Sequence, residues 1–384
     1  VLSCGHASML LYSLIHLAGI RRAGSDAAAV SLDDIRSFRQ LDSVCAGHPE
    51  HHMTSGIETT TGPLGQGCGN SVGMAIASKW LAARYNRPGQ ELFDFDTYVL
   101  CSDGDLMEGV AAEAASLAGH LKLSNLCWIY DDNRITIEGD TDLAFSEDVA
   151  MRFRGLGWHV EHVDDANDTA ALARALTAFK AEADKPTLVI VKSVIGYGAP
   201  TKAGSHSSHG APLGADEIRG AKETYGWSPD ASFVVPAEVP QRFTETLGTR
   251  GHACRDAWQT ALAEHGQSHP ELAKELREFL AGTLPAGWEQ AIPDFPADTT
   301  GLASRVSSGQ VLSAISPKVP WLVGGSADLA PSTMTFVKGE GNFGPADYAG
   351  RNFHFGIREH GMAAAANGMA LCGLRPYVAT FFVF

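Results

Sequence analysis

One stretch, residues 102–137, constrains the fold of this chain more than any other. It follows a short apolar run, TYVLCS (97–102), which predicts a buried strand that ends at an acidic DGD turn (103–105). An Ala-rich segment with helical spacing, 108–121, comes next, and a second apolar run, 125–131, closes a βαβ unit. We therefore expect an α/β fold with a doubly wound parallel sheet, in which ligands bind outside the carboxyl ends of the strands.

Polar side chains follow both of these strands. Asp103 follows the first and Asn133 the second, so we expect the two side chains to lie side by side at one rim of the sheet. A carboxylate, an amide oxygen and a backbone carbonyl suit magnesium or calcium, with diphosphate oxygens and water completing the coordination. Gly104 would let a bulky ligand approach the backbone closely. Two ordinary loop residues are the competing interpretation, because Asp-Gly is a common turn signal.

Composition excludes several classes of partner. The formal net charge of −15 over 384 residues argues against nucleic acid and anionic membranes as partners. Seven cysteines are scattered without a CxxC pair, which indicates a reduced, cytosolic protein. No apolar run reaches membrane-spanning length, and no signal peptide pattern opens the chain.

The N-terminal third contains three predicted helices and one Gly-rich loop. Apolar residues 9, 10, 14 and 17 predict a helix over 3–17 that turns this face inward, with Gly5-His6 at an N-terminus that favours anions. Ser31 and Asp34 predict a capped helix over 31–38. The loop 62–67 opens a helix over 70–85, and it is not a GxGxxG dinucleotide fingerprint.

A cluster of three histidines, His48, His51 and His52, raises the alternative of a zinc site. We disfavour it because the hard-ion ligands lie elsewhere in the sequence and no second shell can be identified around the cluster.

The remaining chain continues the α/β pattern. We predict strands over 158–163 and 187–193, a helix over 168–182 between them, and a long polar loop that contains His206 and His209. Scattered prolines over 234–298 indicate a connection between domains. A second α/β domain starts near residue 300, with predicted elements over 305–315 (helix), 321–325 (strand), 355–371 (helix) and 377–384 (strand).

Several blocks, dispersed over nearly the whole chain, resemble the transketolase family. They are GHPE (47–50), TTTGPLGQG (59–67), AGHLKLSNL (118–126), YDDNRITIEGD (130–140), GYGAPTKAGSHSSHGAPLG (196–214), GGSADLAPS (324–332) and FGIREHGMAAAANGMAL (355–371). The stretch that begins at Ser102 is similar to the thiamine-diphosphate motif, Gly-Asp-Gly followed further on by Asn. Ser102 stands where the family has Gly, and because Ser is small we expect the turn to tolerate it.

The resemblance implies two thiamine-diphosphate-binding-type doubly wound domains, of which the second is incomplete. It divides the chain into a diphosphate- and metal-binding domain (1–235), an interdomain linker (236–299) and the N-terminal part of a pyrimidine-binding domain (300–384). We expect the chain to be a fragment that lacks an N-terminal segment, part of the pyrimidine domain and a C-terminal domain. A cytoplasmic homodimer with active sites at the subunit interface is implied.

The implied activity is the reversible transfer of a two-carbon ketol unit from a ketose phosphate, such as xylulose 5-phosphate, to an aldose phosphate. Thiamine diphosphate supplies the carbanion for this step of the pentose phosphate pathway. Two alternatives stay open. One is another thiamine enzyme, of the dihydroxyacetone synthase or deoxyxylulose-phosphate synthase type. The other is a non-catalytic paralogue.

The resemblance also assigns residues. Magnesium or calcium would be held by Asp103, Asn133 and the carbonyl of Ile135. The cofactor would contact His6, Gly62, Leu64, Gly104, Glu108, Asn133, Ile137, His209, Asp328, Phe381 and Phe384. Sugar phosphates would contact His48, His209, Arg305 and Ser332. Catalysis would rest on Glu359, which pairs with the pyrimidine ring across the dimer, and on proton transfers by His209 and His48.

Overall fold

A computed structural model describes residues 1–384, which fall into two compact units. The first unit comprises residues 1–68, 98–112 and 127–254, and the second comprises 69–97, 113–126 and 255–384. The chain therefore alternates between the two units along its length.

The structure has fourteen α-helices, together with short 3₁₀ turns such as Gly5–Ala7 and His206–Ser208 and a π-helical turn, Thr244–Gly248. The α-helices are α1 (Met9–Leu17), α2 (Leu32–Arg36), α3 (Gln66–Tyr85), α4 (Asp103–Met107), α5 (Gly109–His120), α6 (Val149–Gly155), α7 (Thr169–Ala181), α8 (Ala215–Thr224), α9 (Glu238–Phe243), α10 (Thr249–Ser268), α11 (Pro270–Leu280), α12 (Ser304–Ile315), α13 (Ala330–Thr333) and α14 (Glu359–Leu371).

Seven strands form two sheets. They are β1 (Thr97–Ser102), β2 (Leu126–Asp132), β3 (His159–Val163), β4 (Thr187–Lys192), β5 (Leu322–Ser326), β6 (Asn352–His354) and β7 (Arg375–Ala379). The first sheet has the order β1-β2-β4-β3, and β4 pairs in parallel with both β2 and β3. The second has the order β6-β5-β7, all parallel. The predicted α/β class with parallel sheets is confirmed.

Local sequence signals located several elements closely. The first predicted strand coincides with β1. Ser31 caps α2, and its side chain and that of Asp34 accept from each other's backbone NH groups. The predicted helix over 168–182 is α7, and Asp168 caps it by accepting from the backbone NH of Ala171 at 2.9 Å. Each of these side-chain caps joins residues three positions apart, so a short stretch of sequence is enough to predict it.

The predicted helix over 3–17 was wrong at its start and in its buried face. A 3₁₀ turn, Gly5–Ala7, comes first, and α1 begins at Met9. Leu10 and Leu14 are 45% and 42% exposed, whereas Tyr12 is fully buried. The Tyr12 ring faces inward because its hydroxyl donates to the Ala46 carbonyl at 2.9 Å, which satisfies its polar end inside the protein.

The acidic turn after β1 is itself a short helix, α4. Asp105 accepts a hydrogen bond from the backbone NH of Ser102 at 2.9 Å, and this capping contact starts the helix directly at the end of the strand. The helix predicted to begin at Glu108 begins one residue later, as α5. Glu108 thus lies between two helices with extended backbone, and its carbonyl accepts from the NH groups of Ala111 and Ala112.

Two elements near the C-terminal end of the sequence were also predicted too long. The helix expected over 355–371 begins at Glu359, as α14. The final strand, expected over 377–384, ends at Ala379, which pairs with the last residue of β5, Ser326. Residues beyond this point have no strand partner in the register. Phe381 and Phe384 are accordingly 45% and 71% exposed.

Helices α3 and α14 touch through their backbones within the second unit. A Cβ atom on Gly73 would lie 1.9 Å from the carbonyl oxygen of Ala365, and one on Gly368 would lie 1.8 Å from that of Asn70. Neither position has room for any side chain, since heavy atoms do not approach this closely. Glycine at both positions is therefore a steric requirement of the helix crossing.

No helix combines the length and the apolar character that crossing a membrane requires. All seven cysteines are free.

Candidate functional site

A cavity of about 550 Å³ lies in the first unit, at the ends of β1 and β2. It brings together nine of the residues predicted for the metal and cofactor: His6, Leu64, Asp103, Gly104, Glu108, Asn133, Ile135, Ile137 and His209. These residues come from separate segments of the chain. Their convergence on one cavity follows from the fold of the sheet rather than from their sequence spacing.

Asp103 is the most unusual group of this cavity. It opens α4, is 2% exposed, and its Oδ1 accepts a hydrogen bond of 2.5 Å from the Tyr130 hydroxyl. Its Oδ2 is buried and has no hydrogen-bond partner. Burial raises the pKa of Asp103 to about 6, and the hydrogen bond from Tyr130 offsets part of that effect. A buried carboxylate oxygen without a partner is costly unless a cation or a donor meets it.

Asn133 is held in place from both ends of its amide. Its Nδ2 donates to Asp131 at 2.9 Å, and its Oδ1 accepts from the backbone NH of Ile135 at 2.9 Å. An amide oxygen has two lone pairs, so one remains for a further ligand. The chemistry of this donor set, a free carboxylate oxygen with an amide oxygen and a main-chain carbonyl, fits a hard divalent cation.

The structure contains no group of three or more His, Cys, Asp or Glu residues that could hold a metal ion. A site built from Asp103, Asn133 and a main-chain carbonyl has a single such residue, so it lies outside that pattern. The rings of His51 and His52 are tilted at 33° to each other, with centroids 3.7 Å apart.

Two histidines form one wall of the cavity. The rings of His6 and His209 stack with centroids 5.0 Å apart and an interplanar angle of 28°. Burial lowers the pKa of both, and the neighbouring His209 lowers the pKa of His6 further. The buried Nδ1 of His209 has no partner. The pair is thus neutral in its resting state and keeps one nitrogen available for an anionic or hydroxyl ligand.

The backbone of Gly104 packs closely against the side chain of Leu64. A Cβ atom there would lie 2.7 Å from Cδ1 of Leu64, a residue of the Gly-rich loop. His48 and Gly62 do not line the cavity, but they lie together, since a Cβ on Gly62 would meet the His48 ring at 3.4 Å. His206 is exposed and lies outside the cavity.

Sequence reasoning missed Asp105, which organises this region without facing the ligand. It is fully buried, and Oδ1 accepts from Ser3 Oγ at 2.6 Å and from the Gly65 NH at 2.7 Å. Oδ2 accepts from the NH and the hydroxyl of Ser102. One carboxylate therefore ties the start of the chain, the Gly-rich loop and the end of β1 together. The acidic pair Asp103 and Asp105 was visible in the sequence, but the different roles of its members were not.

The other predicted residues lie in the second unit. Asp328, at φ +62°, lines a cavity of about 1210 Å³, together with Arg358, whereas Arg305 and Ser332 are exposed on α12 and α13. Glu359 is the partly buried first residue of α14. The structure does not bring Phe381 or Phe384 into that cavity.

The start of α14 is fixed by two side chains of α5, which sequence reasoning also missed. Glu113 Oε2 accepts from the Gly361 NH at 2.7 Å, and Ser116 Oγ accepts from the Arg358 guanidinium at 3.0 Å. These contacts flank Glu359 on both sides in sequence and hold the helix terminus on which it sits.

Two family profiles match this chain, over two consecutive ranges of residues. The family profile described as "Transketolase, thiamine diphosphate binding domain" matches residues 1–285, and "Transketolase, pyrimidine binding domain" matches residues 300–384. The chain belongs to the transketolase family. The predicted family membership is confirmed, as is a thiamine-diphosphate-binding domain of the transketolase type.

Curated transketolases are similar over the whole chain. The transketolase of Geobacillus stearothermophilus is 52% identical and that of Bacillus subtilis 46% identical, each over 385 aligned residues that cover all of this chain. The chain spans 56% of the length of each of these relatives. The match therefore covers a little more than half of the length of these transketolases.

Solved transketolase structures share the fold. The Pichia stipitis transketolase in complex with sedoheptulose 7-phosphate superposes with a TM-score of 0.94 at 45% identity. The Leishmania mexicana transketolase gives a TM-score of 0.94 at 39% identity. In both comparisons 99% of this chain is covered and 56% of the other.

Proposed function

We propose that this chain is the cofactor-binding part of a transketolase, an enzyme of the transferase class. The whole protein would transfer a two-carbon ketol unit from a ketose phosphate to an aldose phosphate. The observation that carries the proposal is the buried, unpartnered Oδ2 of Asp103, a residue that lines the same cavity as Asn133 and Ile135. A buried carboxylate oxygen without a hydrogen-bond donor is stabilised by a bound cation.

In this proposal the first unit holds the cofactor by its diphosphate. Asp103, Asn133 and the Ile135 carbonyl would hold magnesium or calcium, whose charge would favour binding of an anionic diphosphate. The neutral stacked pair His6 and His209 would lie close to the diphosphate, and the Nδ1 of His209, which has no partner, would be free to carry a proton to or from a substrate hydroxyl. The surface that would meet the rings of the cofactor is formed by Leu64, Gly104, Glu108 and Ile137. Gly62 would contact the cofactor from outside this cavity. Bound thiamine diphosphate supplies the nucleophilic carbon of the reaction.

The second unit supplies the remaining groups of a site completed by a homodimer. Glu359 would hydrogen-bond the pyrimidine ring nitrogen of the cofactor. Asp328, Phe381 and Phe384 would contact the cofactor. Arg305 and Ser332 bind the phosphate of the sugar, for which a guanidinium and a hydroxyl are chemically suited. His48 binds the donor sugar and assists proton transfer. The sugar-phosphate partners, the dimer, the three-part domain division and a cytoplasmic location all stay predictions.

The first test is calorimetric titration of the 384-residue chain with thiamine diphosphate, with magnesium and with EDTA. Binding that requires magnesium supports the proposal, and a folded chain that binds the cofactor equally well in EDTA contradicts the metal site. The full-length gene product is then assayed with a ketose phosphate and an aldose phosphate. A full-length dimer that binds the cofactor and transfers no ketol unit would be a non-catalytic relative.

A further inference from the structure

The loop between β4 and α8 carries His209 to the wall of the proposed cofactor cavity. It covers residues 193–214, and its only regular element is the 3₁₀ turn His206–Ser208. Residues 208–210 line the 550 Å³ cavity, and the His209 ring stacks on that of His6. A glycine-rich loop loses much conformational entropy when it is ordered, so the position of His209 depends on the bonds that fasten the loop.

Lys202 is bonded to this loop on both sides of His209 in sequence. Its Nζ donates to the main-chain carbonyl of Leu213, after His209, at 2.7 Å. Its own main-chain carbonyl accepts from the hydroxyl of Ser208, directly before His209, at 2.6 Å. One residue is therefore bonded to both ends of the short segment that contains His209.

Lys202 is itself fastened to the start of α8. The carboxylate of Glu217, in the first turn of that helix, accepts from the backbone NH groups of Thr201 at 3.1 Å and of Lys202 at 3.2 Å. It also accepts from the Thr201 hydroxyl at 2.5 Å. Hydrogen bonds to a charged acceptor are stronger than those between neutral groups, so α8 provides a fixed base for Lys202.

Lys202 does not line the cofactor cavity, although its neighbours in the loop do. Its side chain is partly buried, and its ammonium group is bonded to a main-chain carbonyl of the loop. Any effect of Lys202 on a bound ligand must therefore pass through the loop residues that face the cavity. This makes Lys202 a positioning residue.

We propose that Lys202 positions His209 for proton transfer to and from the substrate. The inference rests on the proposed function, in which His209 carries that proton. A proton passes between two heavy atoms only when they are within hydrogen-bond reach, about 2.6–3.2 Å. A misplacement of about 1 Å can cost about 100-fold in rate. Glycines in the loop permit many backbone conformations, so loss of the Lys202 bond to Leu213 would release His209 from the productive position.

The test is Lys202→Met in the full-length gene product, which removes the ammonium group and keeps a side chain of similar length. Rates are measured with a ketose phosphate and an aldose phosphate at saturating thiamine diphosphate and magnesium. We expect kcat to fall about 10- to 100-fold. In a protein that already contains His209→Ala, Lys202→Met should cause no further loss, because the residue through which it acts is gone. Losses that multiply in the double variant would overturn the inference.

Lys222→Met is the matched control. Lys222 lies in α8, and its Nζ also donates to a main-chain carbonyl, that of Ala231 at 2.6 Å, which lies outside the loop. We expect its kcat to stay within about 2-fold of the wild-type value. An equal fall in both lysine variants would overturn the inference, since it would trace the loss to a missing lysine bond anywhere near α8.

Amide hydrogen exchange in the same proteins gives a second measurement, which does not depend on activity. The NH of Ser208 donates to the Ser205 carbonyl at 3.0 Å and that of His209 to the His206 carbonyl at 2.9 Å. We expect both amides to exchange about 5- to 10-fold faster in Lys202→Met and at the wild-type rate in Lys222→Met.

The outcomes separate this inference from the proposed function. Unchanged exchange of the two amides in Lys202→Met would overturn the inference and leave the proposed function intact. A wild-type protein that binds no thiamine diphosphate, or that transfers no ketol unit, would overturn the proposed function and the inference together.

Discussion

The hydroxyl of Ser3 and the carboxylate of Asp105 lie 102 residues apart in the chain and are joined by a hydrogen bond of 2.6 Å. The same carboxylate receives donors from Gly65 and Ser102. No other side chain of the first unit described above connects as many segments. Its neighbour Asp103, two residues earlier, has a free oxygen instead. Substitutions at these two positions should therefore have opposite consequences.

Asp105→Asn should reduce the stability of the chain. An amide keeps one oxygen and has an NH₂ group in place of the other. Where the NH₂ group takes the position of Oδ2, it faces the donating backbone NH of Ser102, which then has no acceptor. A buried NH without a partner costs about 1–3 kcal/mol, and we expect a loss of about 2 kcal/mol in the free energy of unfolding, measured in urea. Asp26→Asn is the control, because the Asp26 side chain is 95% exposed, and it should change stability by less than about 0.5 kcal/mol. Equal losses in both variants would contradict the role of Asp105 in joining these segments of the chain.

Asp103→Asn should spare stability and weaken cofactor binding. Without metal, the wild-type carboxylate is a buried charge with one unpartnered oxygen, and a neutral amide is tolerated better there. The amide can still accept the hydrogen bond from Tyr130. We expect thiamine diphosphate with magnesium to bind about 100-fold or more weakly by calorimetry, since a metal ligand is lost. A variant that binds the cofactor normally would remove Asp103 from the metal site.

The stacked histidines should stay neutral as the pH falls below the usual titration range of histidine. A folded-state pKa below the unfolded value of 6.5 means that protons bind the unfolded chain more tightly. Stability from this pair is therefore complete above pH 6.5 and is lost as the pH falls through the lower folded-state values. NMR titration of His6 and His209 checks the direction. In His209→Gln the pKa of His6 should rise, because the second cause of its depression is gone.

Gly73→Ala should disrupt the second unit. Its new methyl group would meet the Ala365 carbonyl at 1.9 Å, and overpacking of this kind typically costs 1–3 kcal/mol and occasionally more, so we expect about 3 kcal/mol or more in urea denaturation. Gly251→Ala, in α10 with no atom near the added methyl, is the control. It should stabilise by about 0.5–1 kcal/mol, because alanine favours a helix interior. A mild effect at Gly73 would mean that the helices can separate without loss.

Signals that act within a few residues were readable from the sequence. The apolar run that became β1, the capping box at Ser31 and the cap at Asp168 each depend on short-range contacts. The convergence of Asp103 and Asn133 on one cavity followed from the rule that ligands bind at the carboxyl ends of parallel strands. The assigned roles of these residues came from the family resemblance.

The remaining features depend on contacts between distant residues. Nothing near Tyr130 in sequence marks it as a partner of Asp103, 27 positions earlier. The inward face of α1 was predicted from its leucines, but a bonded tyrosine occupies the interior instead. The last strand was extended through an apolar run, whereas its length is fixed by where β5 ends. The periodicity of a sequence shows which residues are apolar. Which of them are buried depends on contacts that form only in the folded chain.

Because the chain alternates between its two compact units, a cut at one point in the gene affects the two units differently. The second unit takes residues 69–97 and 113–126 from the sequence that lies between segments of the first. A gene cut after residue 285, between the two matched family profiles, would therefore encode a C-terminal product that lacks α3. That product would also lack Gly73, against which α14 packs. The N-terminal product would contain the whole first unit, whereas the C-terminal product would contain only part of the second. A single cut in the gene at this point can therefore leave the first unit whole but not the second.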